Sequence, residues 1–83
     1  MKVASHISWQ KILHNIYIID EEKDSIIKID DIAALIWQMI NEQKHDTDIA
    51  EKICKEYDVQ YEEALFDVSM FIDDMVNRRY LER

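Results

Sequence analysis

The segment Ser25–Trp37, SIIKIDDIAALIW, constrains the fold more than any other part of the chain. An isoleucine-rich stretch of extended character passes without a linker into an amphipathic helix. Such a junction joins a small sheet to a group of helices, and the strand at its start can lie at the edge of the sheet. Because an edge strand has unpaired backbone N–H and C=O groups, this strand is a candidate binding edge.

The residues before the helix have strand character. Two runs rich in β-branched and aromatic residues, Ile16–Ile19 and Ser25–Ile29, flank the polar segment Asp20–Asp24, DEEKD. This pattern predicts a hairpin. Because a two-stranded ribbon is marginally stable in water, a third strand is expected, and His6–Leu13 is the available candidate.

The second strand of the hairpin has two different faces. Alternation places Ile27 and Ile29 on one face, and Ile26 and Lys28 on the other. The fully apolar face is expected to pack on the helices.

The residues after the junction have the periodicity of three helices. Asp30 or Asp31 is a candidate cap for the first helix, Asp46 or Thr47 for the second, and the third spans Tyr61–Asn77. The predicted apolar stripes comprise Ile32, Leu35, Ile36, Met39 and Ile40 in the first helix, Ile49, Ala50, Ile53, Cys54 and Tyr57 in the second, and Leu65, Val68, Phe71, Ile72, Met75 and Val76 in the third.

This order of elements predicts an α+β fold: a three-stranded antiparallel sheet followed by three helices, arranged like a winged helix-turn-helix. Residues 1–83 suffice for one hydrophobic core, so a single domain is expected. Tyr80 and Leu81, which follow the third helix, are expected to fold back onto the bundle.

Composition excludes several classes of protein. The chain contains no Gly and no Pro, so a glycine-rich phosphate-binding loop cannot form. No apolar stretch approaches the roughly 18 residues that span a membrane, and no signal peptide is evident, so a cytoplasmic protein without membrane contact is expected. Cys54 is the only cysteine and cannot form an internal disulfide.

The sequence predicts no catalytic residue, no metal and no cofactor. His6, His14 and His45 share no local spacing, and Cys54 lies on an apolar stripe rather than in an electropositive setting. The acidic clusters Asp20-Glu21-Glu22 and Asp73-Asp74 lack the ligand alternation and the glycine of a calcium loop. They are interpreted as solvated faces.

The charge distribution opposes binding to nucleic acid. The third helix would be the reading helix of a winged-helix protein, yet it contains five acidic residues and no Lys or Arg, and the net charge is -8. Because nucleic-acid affinity depends largely on cations that neutralise phosphates, a peptide or protein partner is favoured. The strand edge is the candidate site for it; the alternative is that the long helix or a terminus simply covers this edge. A winged-helix DNA-binding regulator and a small structural subunit remain alternatives.

The order and spacing of short motifs resemble the PqqD-like proteins, also called RiPP recognition elements. The motifs are Ile29-Asp30 and Ala33–Trp37 at the junction, then Ile49, Ala50 and Tyr57, and finally Asp67, Val68, Phe71 and Leu81. Three turns depart from the family pattern, because DEEKD, QKHD and NRRY stand where family members often have glycine.

The resemblance implies a non-catalytic protein that binds the leader segment of a ribosomally made precursor peptide. The leader is implied to add as a fourth strand along Ser25–Ile29, in a groove walled by the third helix. Asp67 and Phe71 are carried over with the family motif, whereas other groove residues follow from helical spacing. The predicted peptide-binding residues are Ser25, Ile26, Ile27, Lys28, Ile29, Asp67, Met70, Phe71, Asp74, Met75 and Arg78.

Asp67, Met70 and Asp74 suit a basic, amphipathic leader, while Lys28 and Arg78 bracket the groove and either bind acidic leader residues or are simply solvated. The implied second partner is a modifying enzyme, with the leader peptidase of lasso-peptide biosynthesis favoured over the radical enzyme of pyrroloquinoline quinone biosynthesis. A monomer or weak dimer is expected.

Overall fold

The computed structural model describes residues 1–83 and contains five strands and three helices. In chain order these are β1 (Lys2–Val3), β2 (Ile7–Ile12), β3 (Asn15–Asp20), β4 (Ser25–Ile29), α1 (Asp31–Asn41), α2 (Asp46–Tyr57), α3 (Tyr61–Asn77) and β5 (Leu81–Glu82).

Strands β2, β3 and β4 form one antiparallel sheet in that order, with β3 in the centre. The three helices follow, so the predicted α+β fold is confirmed. On the inner face, Ile16 lies opposite Ile29 and Ile18 lies opposite Ile27. Ile27 and Ile29 pack against the core, whereas Ile26 is 66% exposed. The two predicted faces of this strand are therefore present.

The core contains 17 buried hydrophobic residues drawn from the sheet and all three helices. Trp37 of α1 is its largest fully buried side chain, and its ring meets that of Trp9 edge to face, with centroids 6.3 Å apart. Edge-to-face geometry places the positive ring edge against the negative ring face, which favours the pair. Trp37 thus connects the first helix to the sheet.

The predicted helix faces need some correction. In α1 the buried residues are Ala34, Ile36, Trp37 and Ile40. Ile32, Leu35 and Met39 are partly buried and pack against this core. Ala34 and Trp37, which the predicted stripe lacked, are buried. In α2 the buried residues are Ile49, Ala50 and Ile53, and in α3 they are Ala64, Val68, Ile72 and Met75. Cys54 is partly buried, and Tyr57 is exposed.

The predicted side-chain caps are absent. Asp30 occupies the N-cap of α1 but makes no side-chain capping bond, and His45 occupies the N-cap of α2. The Asp46 carboxylate instead accepts a hydrogen bond from the neighbouring Thr47 N–H, at 2.8 Å. Both helices therefore begin without a hydrogen bond from an N-cap side chain to the backbone of the first turn.

The end of the chain folds back as predicted, since Tyr80 and Leu81 are buried. A second sheet, which sequence patterns did not reveal, accompanies this return: β1 pairs antiparallel with β5, and Val3 lies opposite Leu81. The Ala4 N–H donates to the Tyr80 carbonyl at 3.0 Å and continues the pairing. Both ends of the domain are thus fixed to each other.

Six residues have positive φ angles, and in a chain without glycine none of them is glycine. They are Leu13, Asp24, Asp31, Gln43, Asp58 and Arg79. Aspartate tolerates the left-handed region because its short polar side chain can bond locally. Leu13, Gln43 and Arg79 lack a short polar side chain of this kind, so their left-handed backbone carries strain that a glycine would not.

The interpretation of Asp20 as part of a solvated acidic face is wrong. Asp20 ends β3 with a side chain that is only 1% exposed. Its Oδ1 accepts hydrogen bonds from the backbone N–H groups of Glu22 and Lys23, each at 3.1 Å. The carboxylate therefore closes the turn that leads into β4, and side-chain bonding to the backbone two or three residues on is what favours aspartate there.

Replacing this carboxylate is expected to destabilise the domain. Asp20→Ala leaves two backbone donors in the β3–β4 turn without their acceptor, which costs on the order of 1–3 kcal/mol in free energy of unfolding. Asp20→Asn keeps an acceptor oxygen and is expected to lose less. Urea unfolding followed by circular dichroism measures both. Equal stability of the wild type and Asp20→Ala would show that the turn does not depend on Asp20.

Candidate functional site

Strand β4 lies at one edge of the three-stranded sheet. The Glu21 N–H donates to the His6 carbonyl, which continues the β2–β3 ladder. Backbone groups of successive residues point to opposite sides of a strand, so odd-numbered residues of β3 bond to β2 and even-numbered ones bond to β4. Because Ile18 lies opposite Ile27, the backbone groups of Ile26 and Lys28 point away from the sheet. These two residues supply the free donors and acceptors of the edge.

One flank of α3 carries four of the predicted binding residues. At about 100° per residue, Asp67, Phe71, Asp74 and Arg78 fall within about 60° of one another, to one side of the buried residue Val68. Phe71 is half-buried and packs against the core, as do Ile27 and Ile29 of β4. The edge strand and this flank therefore both present apolar side chains at the margin of the core.

An open depression of about 640 Å³ lies along the C-terminal half of α3. Met70, Phe71 and Asp74 line it, together with Asp73 and Asn77. Asp73 and Asn77 were not predicted, although their spacings of three and seven from Met70 place them on the same helix face. Met70 is 54% exposed and supplies an unpartnered, flexible apolar side chain.

The carboxylates on α3 differ in their availability. Asp74 pairs with Arg78 at 3.1 Å, and Asp73 pairs with Arg83. Asp67 is half-buried and forms no ion pair or side-chain hydrogen bond within the chain. Of these three, Asp67 is thus the carboxylate free to receive a cation or an N–H donor.

Arg78 is held by its neighbours. The hydrogen bond to Asp74 raises the pKa of the Arg78 guanidinium above its already high ordinary value. The group therefore remains charged, and its position at the C-terminal end of α3 is favourable because the helix dipole is negative there. An acidic ligand at Arg78 would have to compete with Asp74.

Three predicted residues, Met75, Lys28 and Ile26, do not face a groove between β4 and α3. Met75 is 3% exposed and belongs to the core, because it lies on the same inward face of α3 as Val68 and Ile72. Lys28 is exposed on the outer face of the sheet, opposite Tyr17. Ser25, Ile27 and Ile29 are partly buried on the inner face, and Ile26 lies on the outer face.

No group of three or more His, Cys, Asp or Glu side chains has an arrangement suited to a metal ion. None of the three helices combines the length and the apolar character needed to cross a membrane.

A three-stranded sheet with β4 exposed at one edge, followed by three helices, defines an α+β domain of winged-helix type. The family model described as coenzyme PQQ synthesis protein D (PqqD) matches residues 16–81, and the chain therefore belongs to the PqqD family. No curated protein matches the chain.

Two solved structures share this fold. The first, TbiB1 in complex with the TbiA(beta) leader peptide, has a TM-score of 0.90 and 23% sequence identity, over 99% of this chain and 95% of that one. The second, lasso peptide synthetase B1 complexed with the leader peptide, has a TM-score of 0.87 and 20% identity, over 94% and 92% of the two chains.

Proposed function

We propose that the protein binds the leader segment of a ribosomally synthesised precursor peptide as a fourth antiparallel strand along β4. The observation that carries the proposal is the open edge at Ile26 and Lys28, whose backbone groups point away from the sheet. Strand addition of this kind derives affinity from backbone hydrogen bonds and specificity from pockets for alternate side chains. That both solved neighbours hold leader peptides supports a leader as the ligand.

The inner side of the bound strand would meet apolar side chains and one free carboxylate. Ile27, Ile29 and Phe71 are half-buried and offer further apolar area for burial. Asp67 has no partner of its own, so a basic leader residue that reaches it gains an ion pair without breaking one. An amphipathic leader with at least one Lys or Arg fits this surface best.

The proposed role is non-catalytic delivery. Binding the leader raises the effective concentration of the precursor at a partner enzyme. A leader peptidase of lasso-peptide biosynthesis is the favoured partner, because one structural neighbour is a lasso peptide synthetase B1 with its leader peptide. The PqqD family match favours a second candidate, a peptide chaperone for a radical enzyme in pyrroloquinoline quinone biosynthesis. In either role, we expect a cytoplasmic monomer or weak dimer.

Titration of a fluorescent leader peptide with the protein tests the proposal. We expect a saturable rise in anisotropy with the leader of the precursor encoded beside the gene, and none with a scrambled leader of the same composition. No saturable change with that leader would refute the proposal. Adding candidate peptidase or radical enzyme, with and without the protein, then distinguishes the two partners.

A further inference from the structure

The outer face of the sheet is uncovered. Its side chains form rows across the strands, namely Ser8–Ile19–Ile26 and Gln10–Tyr17–Lys28. None of these residues belongs to the core or packs against it. Ile19 and Ile26 lie directly opposite each other, and Ile26 has two-thirds of its surface in solvent. An apolar cross-strand pair is therefore open at the edge where a fourth strand would add.

Lys28 is the only charged strand residue on this face. It is exposed and forms no ion pair or side-chain hydrogen bond. Its cross-strand neighbour is Tyr17, and its neighbour two residues along β4 is Ile26. A side chain on an added strand beside Lys28 would meet a single unpaired cation.

We propose that Ile26 and Lys28 form an outer subsite that contacts those side chains of the bound peptide that face away from the helices. The subsite prefers an acidic residue beside Lys28 and an apolar residue beside Ile26. This inference rests on the proposed function, because it assumes that a peptide strand pairs with β4. It adds a requirement on the peptide residues that do not enter the groove.

The register of β4 converts this subsite into a sequence pattern. Ile26 and Lys28 bond outward, so two peptide residues lie directly opposite them and one residue between them faces Ile27 on the inner side. An antiparallel strand passes Lys28 before Ile26. The peptide therefore carries, from N- to C-terminus, an acidic residue, an inward apolar residue and an outward apolar residue.

Opposite charges and apolar groups placed directly across neighbouring strands attract each other, and like charges repel. For Lys28→Glu, attraction to the acidic residue becomes repulsion. We expect this change to weaken an acidic peptide about three- to tenfold and to favour a peptide with Lys at the same position.

Selection from a random dodecapeptide display library tests the inference with no need for the leader sequence. The wild type, Lys28→Glu, Ile26→Thr and the matched control Lys44→Glu are used as baits. Lys44 lies in the loop after α1, so its substitution changes the net charge as Lys28→Glu does, but away from β4. Circular dichroism checks that each variant is folded.

We expect the wild type and Lys44→Glu to enrich the same pattern, with Asp or Glu two positions before an apolar residue. Lys28→Glu is expected to enrich Lys or Arg at the acidic position, and Ile26→Thr to lose the apolar preference two positions later. If the wild type enriches peptides whose pattern is unchanged by Lys28→Glu and Ile26→Thr, the outer subsite is refuted while peptide binding stands. If the wild type enriches no peptide above empty beads, the proposed function itself fails.

Discussion

Lys28→Pro is expected to weaken leader binding at least tenfold while leaving the domain folded. The Lys28 N–H points to the open edge, so proline removes a donor that the sheet itself does not use. Loss of one hydrogen bond that leaves a buried acceptor unpaired costs about 1–3 kcal/mol, and the proline ring also obstructs the incoming strand. Anisotropy titration of the labelled leader measures the effect.

The opposite edge of the sheet provides a matched control. Lys11 of β2 lies opposite Ile16, whose backbone groups bond to β4 and not to β2. The Lys11 N–H therefore points away from the sheet, as the Lys28 N–H does, and Lys11 is exposed. Lys11→Pro therefore makes the same substitution, with the same change of charge, at the other edge. Leader affinity close to wild type is expected, with a minor loss of stability from the hydrogen bond to Gln38.

The same substitution at neighbouring positions of β4 should have alternating effects. Ile26→Pro is expected to weaken leader binding as Lys28→Pro does, because the Ile26 N–H also points away from the sheet. Ile27→Pro instead removes a donor to β3 and is expected to destabilise the sheet. Urea unfolding measures the stability of each variant, so a destabilised sheet is distinguished from a loss of leader affinity in a folded domain. If Lys28→Pro binds the leader as tightly as the wild type, β4 is not the docking edge, and a large loss for Lys11→Pro would identify β2 instead.

Trp37→Ala is expected to cause the largest loss of stability of any single substitution in the core. Trp37 is fully buried and packs edge to face against Trp9. Truncation of a buried aromatic residue to alanine costs about 3–5 kcal/mol, because buried area is lost and a cavity remains. Domains of this kind are stable by only about 5–15 kcal/mol, so the urea midpoint should fall steeply, as followed by far-ultraviolet circular dichroism.

Two further variants separate packing from hydrogen bonding. The buried Trp37 Nε1–H has no hydrogen-bond partner within the protein, so Trp37→Phe breaks no hydrogen bond between protein groups and is expected to cost much less than alanine. Phe66→Ala truncates an aromatic residue that is 63% exposed, and we expect a change within about 0.5 kcal/mol. Equal losses for Trp37→Ala and Phe66→Ala would contradict the central role of Trp37.

Sequence patterns predicted the sheet and the helices because these depend on local periodicity. The two-residue alternation in Ser25–Ile29 distinguishes its inner and outer faces, and the bounds predicted for the third helix, Tyr61–Asn77, are those of α3. Both patterns survive folding because each element buries the face that its own apolar residues define.

Contacts between distant residues could not be predicted in the same way. The pairing of β1 with β5 joins two-residue strands too short to show alternation. Asp20 resembles its acidic neighbours in sequence, and only the turn geometry brings two N–H groups to its carboxylate. Met75 is adjacent to Asp74 in sequence but points into the core, since about 100° of helix rotation separates them.

The residues with positive φ in this glycine-free chain also affect how many substitutions its proposed binding surface can tolerate. Leu13, Gln43 and Arg79 are exposed, so glycine at any of them would relieve backbone strain without removing core packing. Each relief amounts to about 1 kcal/mol. The greater entropy of glycine in the unfolded chain offsets part of this gain. A variant that retains the remainder would tolerate destabilising substitutions on β4 and α3, the elements of the proposed peptide site, better than the present chain does.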